Sequence, residues 1–304
     1  MSQTSSSSSG CSNKGSACSG CSSTSCGERV TADESPNRIK HTIVVMSGKG
    51  GVGKSTVAVN IAVALASEGY KTGLLDVDIH GPSIPTMLKL QNVRALSDGK
   101  MLLPAEVGDL KVMSIGLLLD KSDDAVIWRG PMKAGVIGQF LTEVNWGELD
   151  YLVIDSPPGT GDEPLSVCQQ IKGNFSALIV TTPQEVAAAD VRKSINFCNQ
   201  LGVEVVGVLE NMSGFVCPKC ECETHIFSSG GGEKTAREFG VRFLGRVPID
   251  PAIGVACDNG SPFVYTHSKT PVAKAFMQVV AHIREAYDGK TLKTEKAAGC
   301  ANAG

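Results

Sequence analysis

The sequence predicts an α/β fold, a doubly wound and mostly parallel sheet preceded by a disordered Cys-rich N-terminal tail. Three observations point there. Short apolar, β-branched runs recur along the chain, helical stretches separate them, and a glycine-rich loop joins the first run to the first helix.

Residues 1 to about 36 are Ser/Gly/Cys-rich and hold almost no large apolar side chains, so they cannot bury enough surface to order themselves. At His41 the texture changes. Thr42-Ile43-Val44-Val45-Met46 reads as a strand buried on both faces. After the glycine loop, Val57, Ile61, Ala64 and Leu65 recur at helical spacing, and Gly69 ends that helix. Thr72-Gly73-Leu74-Leu75-Asp76 reads as the next strand. Further strands are expected at residues 110–115, 151–154, 177–181, 205–210 and 242–246. Helices are expected near 133–144, 164–170, 186–201, 234–239 and 271–287. The expected organisation is a tail over 1–37, one domain over 38–288 and a flexible polar tail over 289–304.

The chain has 304 residues and a formal net charge of −3, so no global basic field exists to coat nucleic acid, and no nucleic-acid partner is expected. No apolar run is long enough to span a membrane, and MSQTSSSSSG has neither the basic nor the apolar region of a secretory signal. The expected location is the cytoplasm, with no membrane association. There, eleven cysteines suggest metal binding or redox chemistry more than disulfides.

Gly48-Lys49-Gly50-Gly51-Val52-Gly53-Lys54-Ser55 fits G-x-x-x-x-G-K-[ST] between a strand and a helix, the phosphate-loop signature, with Thr56 next in line. Glycines let successive amides face phosphate oxygens, and the helix N-terminus adds its positive end. Lys54 would reach the β- and γ-phosphates, and the Ser55 hydroxyl would ligate Mg²⁺. The bland alternative is a Gly-rich turn that happens to contain Gly-Lys. Lys49, taken alone, reads as a solvated loop charge. Tyr151-Leu152-Val153-Ile154-Asp155 ends a buried strand in a carboxylate placed to hold a Mg²⁺ water, the alternative being an Asp that caps the next helix. In Ser156-Pro157-Pro158-Gly159 the prolines stiffen the turn, and the Gly159 amide can approach the γ-phosphate. Alternation places Asp76 and Asp78 on one side of their strand. Asp78 is expected to orient the attacking water and Asp76 to hold a Mg²⁺ water, while His80 reads as a bystander.

Cys217, Cys220 and Cys222 with His225 have a spacing that a tetrahedral Zn²⁺ site in one chain could use, and by spacing alone zinc is favoured over a cluster shared between chains. Cys11, Cys18, Cys21 and Cys26 offer four thiols, enough for one [4Fe–4S] cluster, or a thiol-rich tail that binds metal loosely or not at all. Cys168 and Cys198 lie in apolar helical settings and read as core fillers, and Trp128 and Trp146 as packing residues. Cys300 is not at a prenylation position.

The run KGGVGKST resembles the deviant Walker A motif of the MinD/ParA/nitrogenase-iron-protein superfamily. Asn211-Met212-Ser213-Gly214-Phe215-Val216-Cys217-Pro218-Lys219-Cys220, with Ile226-Phe227 behind it, resembles the NMSGF-x-CPxC pattern of the Mrp/NBP-type branch, whose members are cytosolic iron–sulfur cluster carriers. The likeness extends from residue 38 to about 285 and takes in Val247-Pro248-Ile249-Asp250-Pro251 and Gly260-Ser261-Pro262. It implies a P-loop ATPase that binds ATP and Mg²⁺ as a nucleotide-sandwich homodimer, or paired with a related chain. It implies that Lys49 reaches the partner's nucleotide and that Asn211 reads the adenine edge, although an Asn at a strand end is otherwise turn chemistry. It implies that Cys217 and Cys220 of two chains hold one [4Fe–4S] cluster for delivery to recipient apoproteins. The branch's N-terminal Cys quartet is comparable to Cys11, Cys18, Cys21 and Cys26, whose first and third gaps are shorter here. Three other readings stand beside it: a MinD/ParA-type positioning switch, an electron donor like the nitrogenase iron protein, and a zinc-stabilised ATPase. The first predicts an amphipathic C-terminal helix or a basic patch, and residues 289–304 are neither. The second wants cysteines beside the switch regions, where only Cys168 follows Asp155.

Overall fold

Strand β1 (Arg38–Met46) enters its sheet through a side-chain clasp. Asn37 Nδ2 donates to the Val144 carbonyl at 2.7 Å, while its Oδ1 accepts from the Trp146 and Gly147 amides at 2.8 and 3.1 Å. The computed structural model describes residues 37–300 other than 80, 119–129, 172, 218 and 221. Cys11, Cys18, Cys21, Cys26, His80 and Trp128, singled out above, lie outside the described residues.

Following β1 come α1 (Lys54–Ser67), β2 (Thr72–Asp76) and the short α2 (Ile84–Met87). Three small strands, β3 (Leu96–Ser97), β4 (Leu102–Leu103) and β5 (Ala105–Val107), lead into β6 (Leu110–Ser114) and a 3₁₀ turn at Ile115–Leu117. The chain continues through α3 (Gly130–Thr142), β7 (Glu148–Asp155), α4 (Asp162–Gln170), β8 (Phe175–Thr181) and α5 (Glu185–Gln200). It ends with β9 (Glu204–Val216), β10 (Glu223–Thr224), α6 (Gly231–Glu238), β11 (Phe243–Ile249), α7 (Pro251–Asp258), α8 (Phe263–Thr266) and α9 (Pro271–Cys300). Helix α9 therefore runs past Gly289, where the sequence reading began its polar tail; Lys, Glu, Ala and Leu are good helix formers.

The main sheet has the order β10-β9-β8-β1-β7-β2-β6-β5, with β11 also paired to β9. Pairing is parallel from β11 through β6, and only the edge strands β5 and β10 run antiparallel. Residues Thr72 to Asp76 are all buried, as are Ile43 to Met46, because helices cover these central strands. One large core joins them to α1, α9 and the fully buried Trp146 and Phe140, and Cys168 and Cys198 are buried with it. A smaller cluster of Ile179, Val191, Ile195, Val208 and Ala236 seats α5 and α6 on β8 and β9.

This topology places β1 in mid-sheet, with β7 and β2 on one side and β8 and β9 on the other. In open parallel sheets the crevice at the carboxyl ends of such strands is where ligands bind. Every candidate residue of the phosphate loop, of β2, β7 and of β9 lies at that edge.

Candidate functional site

Helix α1 begins directly out of the glycine loop. Its N-cap, Gly53, has φ +80° and no capping side chain, so the first amides of the helix are left for a ligand. Gly50 and Gly51 are exposed, and nothing lies within 4 Å of where a Cβ would stand on either. Gly53 is different, for a Cβ there would meet Asn211 Nδ2 at 2.4 Å. Asn211 is buried, and its Nδ2 donates to the Val52 carbonyl at 2.8 Å. The described contact of Asn211 is thus a brace beneath the phosphate loop. Lys49 is half-buried, and its carbonyl accepts from Ser47 Oγ at 2.9 Å.

Register brings the carboxylates together: Asp76 of β2 stands opposite Asp155 of β7. Both are fully buried. Lys54 Nζ lies 2.6 Å from Asp155 Oδ1, 3.5 Å from Asp78 Oδ2 and 3.3 Å from Ser55 Oγ. Asp76 accepts from Ser114 Oγ at 2.9 Å and from the Asp78 amide at 3.1 Å. Burial, reinforced by the neighbouring Asp155, pushes the Asp76 carboxyl up to about 8 against those hydrogen bonds. Burial also raises Asp155, against the pull of Lys54. Asp155 Oδ2 is buried with no hydrogen-bond partner among the described residues. An orphaned carboxylate oxygen beside a Ser hydroxyl and the phosphate loop is the donor set that a hard divalent cation with water ligands fits. The Gly159 amide donates to the Ser47 carbonyl at 2.7 Å, tying the turn after β7 to the root of the phosphate loop.

Strand β9 runs on beyond its pairing with β8 and carries the second cysteine group. Asn211 pairs with Val247, and Phe215 with both Ile249 and Thr224. The β9–β10 hairpin closes with the Cys217 amide donating to the Cys222 carbonyl at 3.1 Å, which sets Cys217 and Cys222 opposite one another. Cys220 and Cys222 are exposed and Cys217 is half-buried. The backbone amides of Lys219 and Cys220, in that order, hold the Cys217 thiol below its usual range, and the Cys220 thiol adds to them. Amide donors aimed at one sulfur favour a thiolate, the form that binds metal. Among the described residues no group of three or more His, Cys, Asp and Glu side chains is arranged to hold a metal ion. Cys217, Cys220, Cys222 and His225, the set that spacing alone favoured for zinc, do not form such a group among the described residues.

Sequence reasoning passed over Cys257. It is half-buried on α7, and its thiol hydrogen-bonds to Thr56, one residue past Ser55. Nothing local in the sequence signals that contact, since some 200 residues separate the two.

Residues 38–284 match the family model described as NUBPL iron-transfer P-loop NTPase, of the ParA group. The chain is 51% identical over 258 residues to the iron-sulfur cluster carrier protein of Methanocaldococcus jannaschii, covering 84% of this chain and 88% of that protein. It is 46% identical over 268 residues to the cytosolic Fe-S cluster assembly factor CFD1 of Eremothecium gossypii, covering 84% and 95%. Among solved structures, the nucleotide-binding protein of Archaeoglobus fulgidus in complex with ADP superposes with a TM-score of 0.67 at 44% identity, over 75% of this chain and 89% of that one. The cell-division ATPase MinD of Pyrococcus furiosus shares the fold, with a TM-score of 0.60 at 22% identity over 81% and 99% of the chains.

Proposed function

Because the chain belongs to the NUBPL iron-transfer P-loop NTPase family, we propose that it is an ATP-dependent scaffold and carrier that binds [4Fe–4S] clusters and transfers them to apoproteins. The observation that carries this reading is the thiol hairpin, a Cys-x-x-Cys pair at the end of a strand that leaves the nucleotide edge of the sheet, with amides disposed to favour the Cys217 thiolate. A [4Fe–4S] cluster takes four thiolates, and one hairpin offers Cys217 and Cys220. A second copy of the chain, or a related one, supplies the other two across a two-fold axis. Cys11, Cys18, Cys21 and Cys26 make a separate four-thiol set within one chain.

ATP is the substrate of the phosphate loop. Lys54, which pairs with Asp155 and Asp78, would neutralise phosphate charge, and Lys49 would do so for the partner's nucleotide. Ser55 and Asp155 would hold Mg²⁺ with Asp76 behind them, and the ion, when bound, would supply Lewis-acid stabilisation of phosphate charge. Asp78 orients the attacking water, the Gly159 turn responds to the γ-phosphate, and Asn211 meets the base. No helix among the described residues is long and apolar enough to cross a membrane. The proposed location is the cytoplasm, where thiols stay reduced.

The test is anaerobic reconstitution with iron and sulfide, followed by iron, sulfide and zinc analysis and visible spectroscopy. The reading expects about four irons and four sulfides per dimer from the hairpins. They should disappear in Cys217→Ala/Cys220→Ala protein lacking residues 1–36, and the full-length chain should carry a further set. One zinc per chain with no visible absorbance refutes the carrier reading.

A further inference from the structure

Directly before Asn211 stands a carboxylate that the roles above leave unused. Glu210 is fully buried. A buried carboxylate is tolerated only where it is compensated, and Glu210 is compensated from three segments. Ser213 Oγ donates to it at 2.6 Å. The amides of Gly232 and Gly230, at the start of α6, donate at 2.7 and 3.2 Å. Arg246 Nε of β11 lies 3.4 Å away, and the same guanidinium pairs with Glu233. Orphan amides of a helix, the neighbouring strand and the root of the thiol hairpin therefore converge on one side chain.

The backbone between the two sites is unusual at the same place. Met212 has φ +58°, left-handed for a residue with a Cβ, and Gly214 follows at φ +82°. A non-glycine residue in that region is strained and persists only where its surroundings over-determine it. Glu210 provides that constraint, since it grips Ser213 on the far side of Met212 and is itself fixed by α6 and β11. On the near side, Asn211 is bonded to Val52 of the phosphate loop. Three residues past Ser213 the strand ends, and Cys217 follows.

We infer that Glu210 is the positioning residue that links the nucleotide site to the thiol hairpin, holding Asn211 beneath Val52 and Ser213 at the hairpin root through one set of bonds. The described partners of Glu210 are Ser213, Gly230, Gly232 and Arg246, none of them a thiol. The inference rests on the reading above for the meaning of the hairpin as the cargo site, but its test needs no cluster.

The full-length, metal-free protein is treated with N-ethylmaleimide, with and without Mg²⁺ and a non-hydrolysable ATP analogue, and alkylation of Cys217 and Cys220 is followed by peptide mass spectrometry. In the wild-type chain, saturating nucleotide changes the alkylation rate by about fivefold or more, the lower range of ordinary site-to-site coupling. In Glu210→Gln that ratio falls toward one. Ser213→Ala removes only the 2.6 Å bond, leaves the α6 amides capped, and gives an intermediate ratio. A merely structural weakening would raise the rate in both nucleotide states and preserve the ratio, so the ratio is the decisive quantity. Should Glu210→Gln fail to fold by circular dichroism, Ser213→Ala alone carries the test. A wild-type rate indifferent to nucleotide, or a full ratio in the folded variants, overturns the inference. Failure of the carrier reading would appear elsewhere, as missing iron and sulfide after reconstitution.

Discussion

Gly53 and Gly51 have nearly the same φ and opposite surroundings, so replacing each by alanine isolates the brace that Asn211 provides. Gly53 has φ +80° and Gly51 φ +78°. A Cβ on Gly51 meets nothing within 4 Å, whereas one on Gly53 lies 2.4 Å from Asn211 Nδ2 and 3.6 Å from Met212 Cε. Both alanines carry the left-handed penalty of about 1–2 kcal/mol. Only Gly53→Ala also drives the Asn211 amide from the Val52 carbonyl, which strips a buried donor and acceptor of their partners at about 1–3 kcal/mol. Gly53→Ala is therefore expected to be less stable than Gly51→Ala by that second amount. For a domain of this size each kcal/mol corresponds to about 2–4 °C in Tm, so the gap is several degrees. Urea unfolding and thermal melts followed by far-UV circular dichroism, with nucleotide removed, measure it. If the two variants unfold at the same midpoint, Asn211 yields without cost and the brace does not constrain the loop.

Other perturbations have equally definite outcomes. Asp155→Ala leaves the Lys54 ammonium buried with Asp78 at 3.5 Å as its remaining acidic partner, and breaking such a pair costs about 3–5 kcal/mol; a loss below about 1 kcal/mol in urea unfolding would mean that the pair is solvated. Burial pushes the Tyr151 and Tyr287 phenols up to about 12. Below about pH 10 both are protonated folded and unfolded; between about 10 and 12 the unfolded chain releases protons that the folded chain keeps, so stability falls as pH rises, by at most roughly 2–3 kcal/mol per tyrosine. Tyr287→Phe should flatten that slope, and an unchanged slope would remove Tyr287 as its source. Cys222→Ser is expected to keep the iron and sulfide content of the hairpin site while Cys220→Ser loses it; equal losses would bring Cys222 into the ligand set. Asn37→Ala removes the clasp on the 144–147 turn and should cost about 1–3 kcal/mol in the same unfolding assay, and a smaller effect would show that β1 pairing alone secures the chain entry.

The central strands were legible because burial on both faces writes them as unbroken apolar runs: β2 has the bounds expected for it, and β1, β7 and β8 each contain the residues expected. The phosphate loop was legible because its chemistry needs fixed residue types at fixed spacing. Strand β9 was expected to stop at Glu210, since an Asn at a strand end, here Asn211, is otherwise turn chemistry. It continues to Val216 because β11 and β10 supply pairing partners that are distant or follow a turn, which no local pattern announces. Strands β3, β4, β5 and β10, two or three residues each, are too short to show a period. Glu210 was invisible for a related reason. In the sequence it is one acidic residue closing an apolar run, and its partners arrive from positions 213, 230, 232 and 246.

The length of β9 has a mechanical consequence. Beyond Glu210 the strand leaves the β8 ladder, and the five residue steps from Asn211 to Val216, shortened by the left-handed Met212 and Gly214, span at most about 16 Å. The thiols thus sit at the tip of an arm whose pivot lies beside the phosphate loop. A tilt of about 5° at the pivot moves the tip by up to about 1.4 Å, several times the roughly 0.2 Å within which metal–ligand distances are held. Two such arms meeting from opposite chains would open or close the gap between their thiol pairs by twice that displacement. A rearrangement too small to alter the sheet is in this way large on the scale of a metal–sulfur bond.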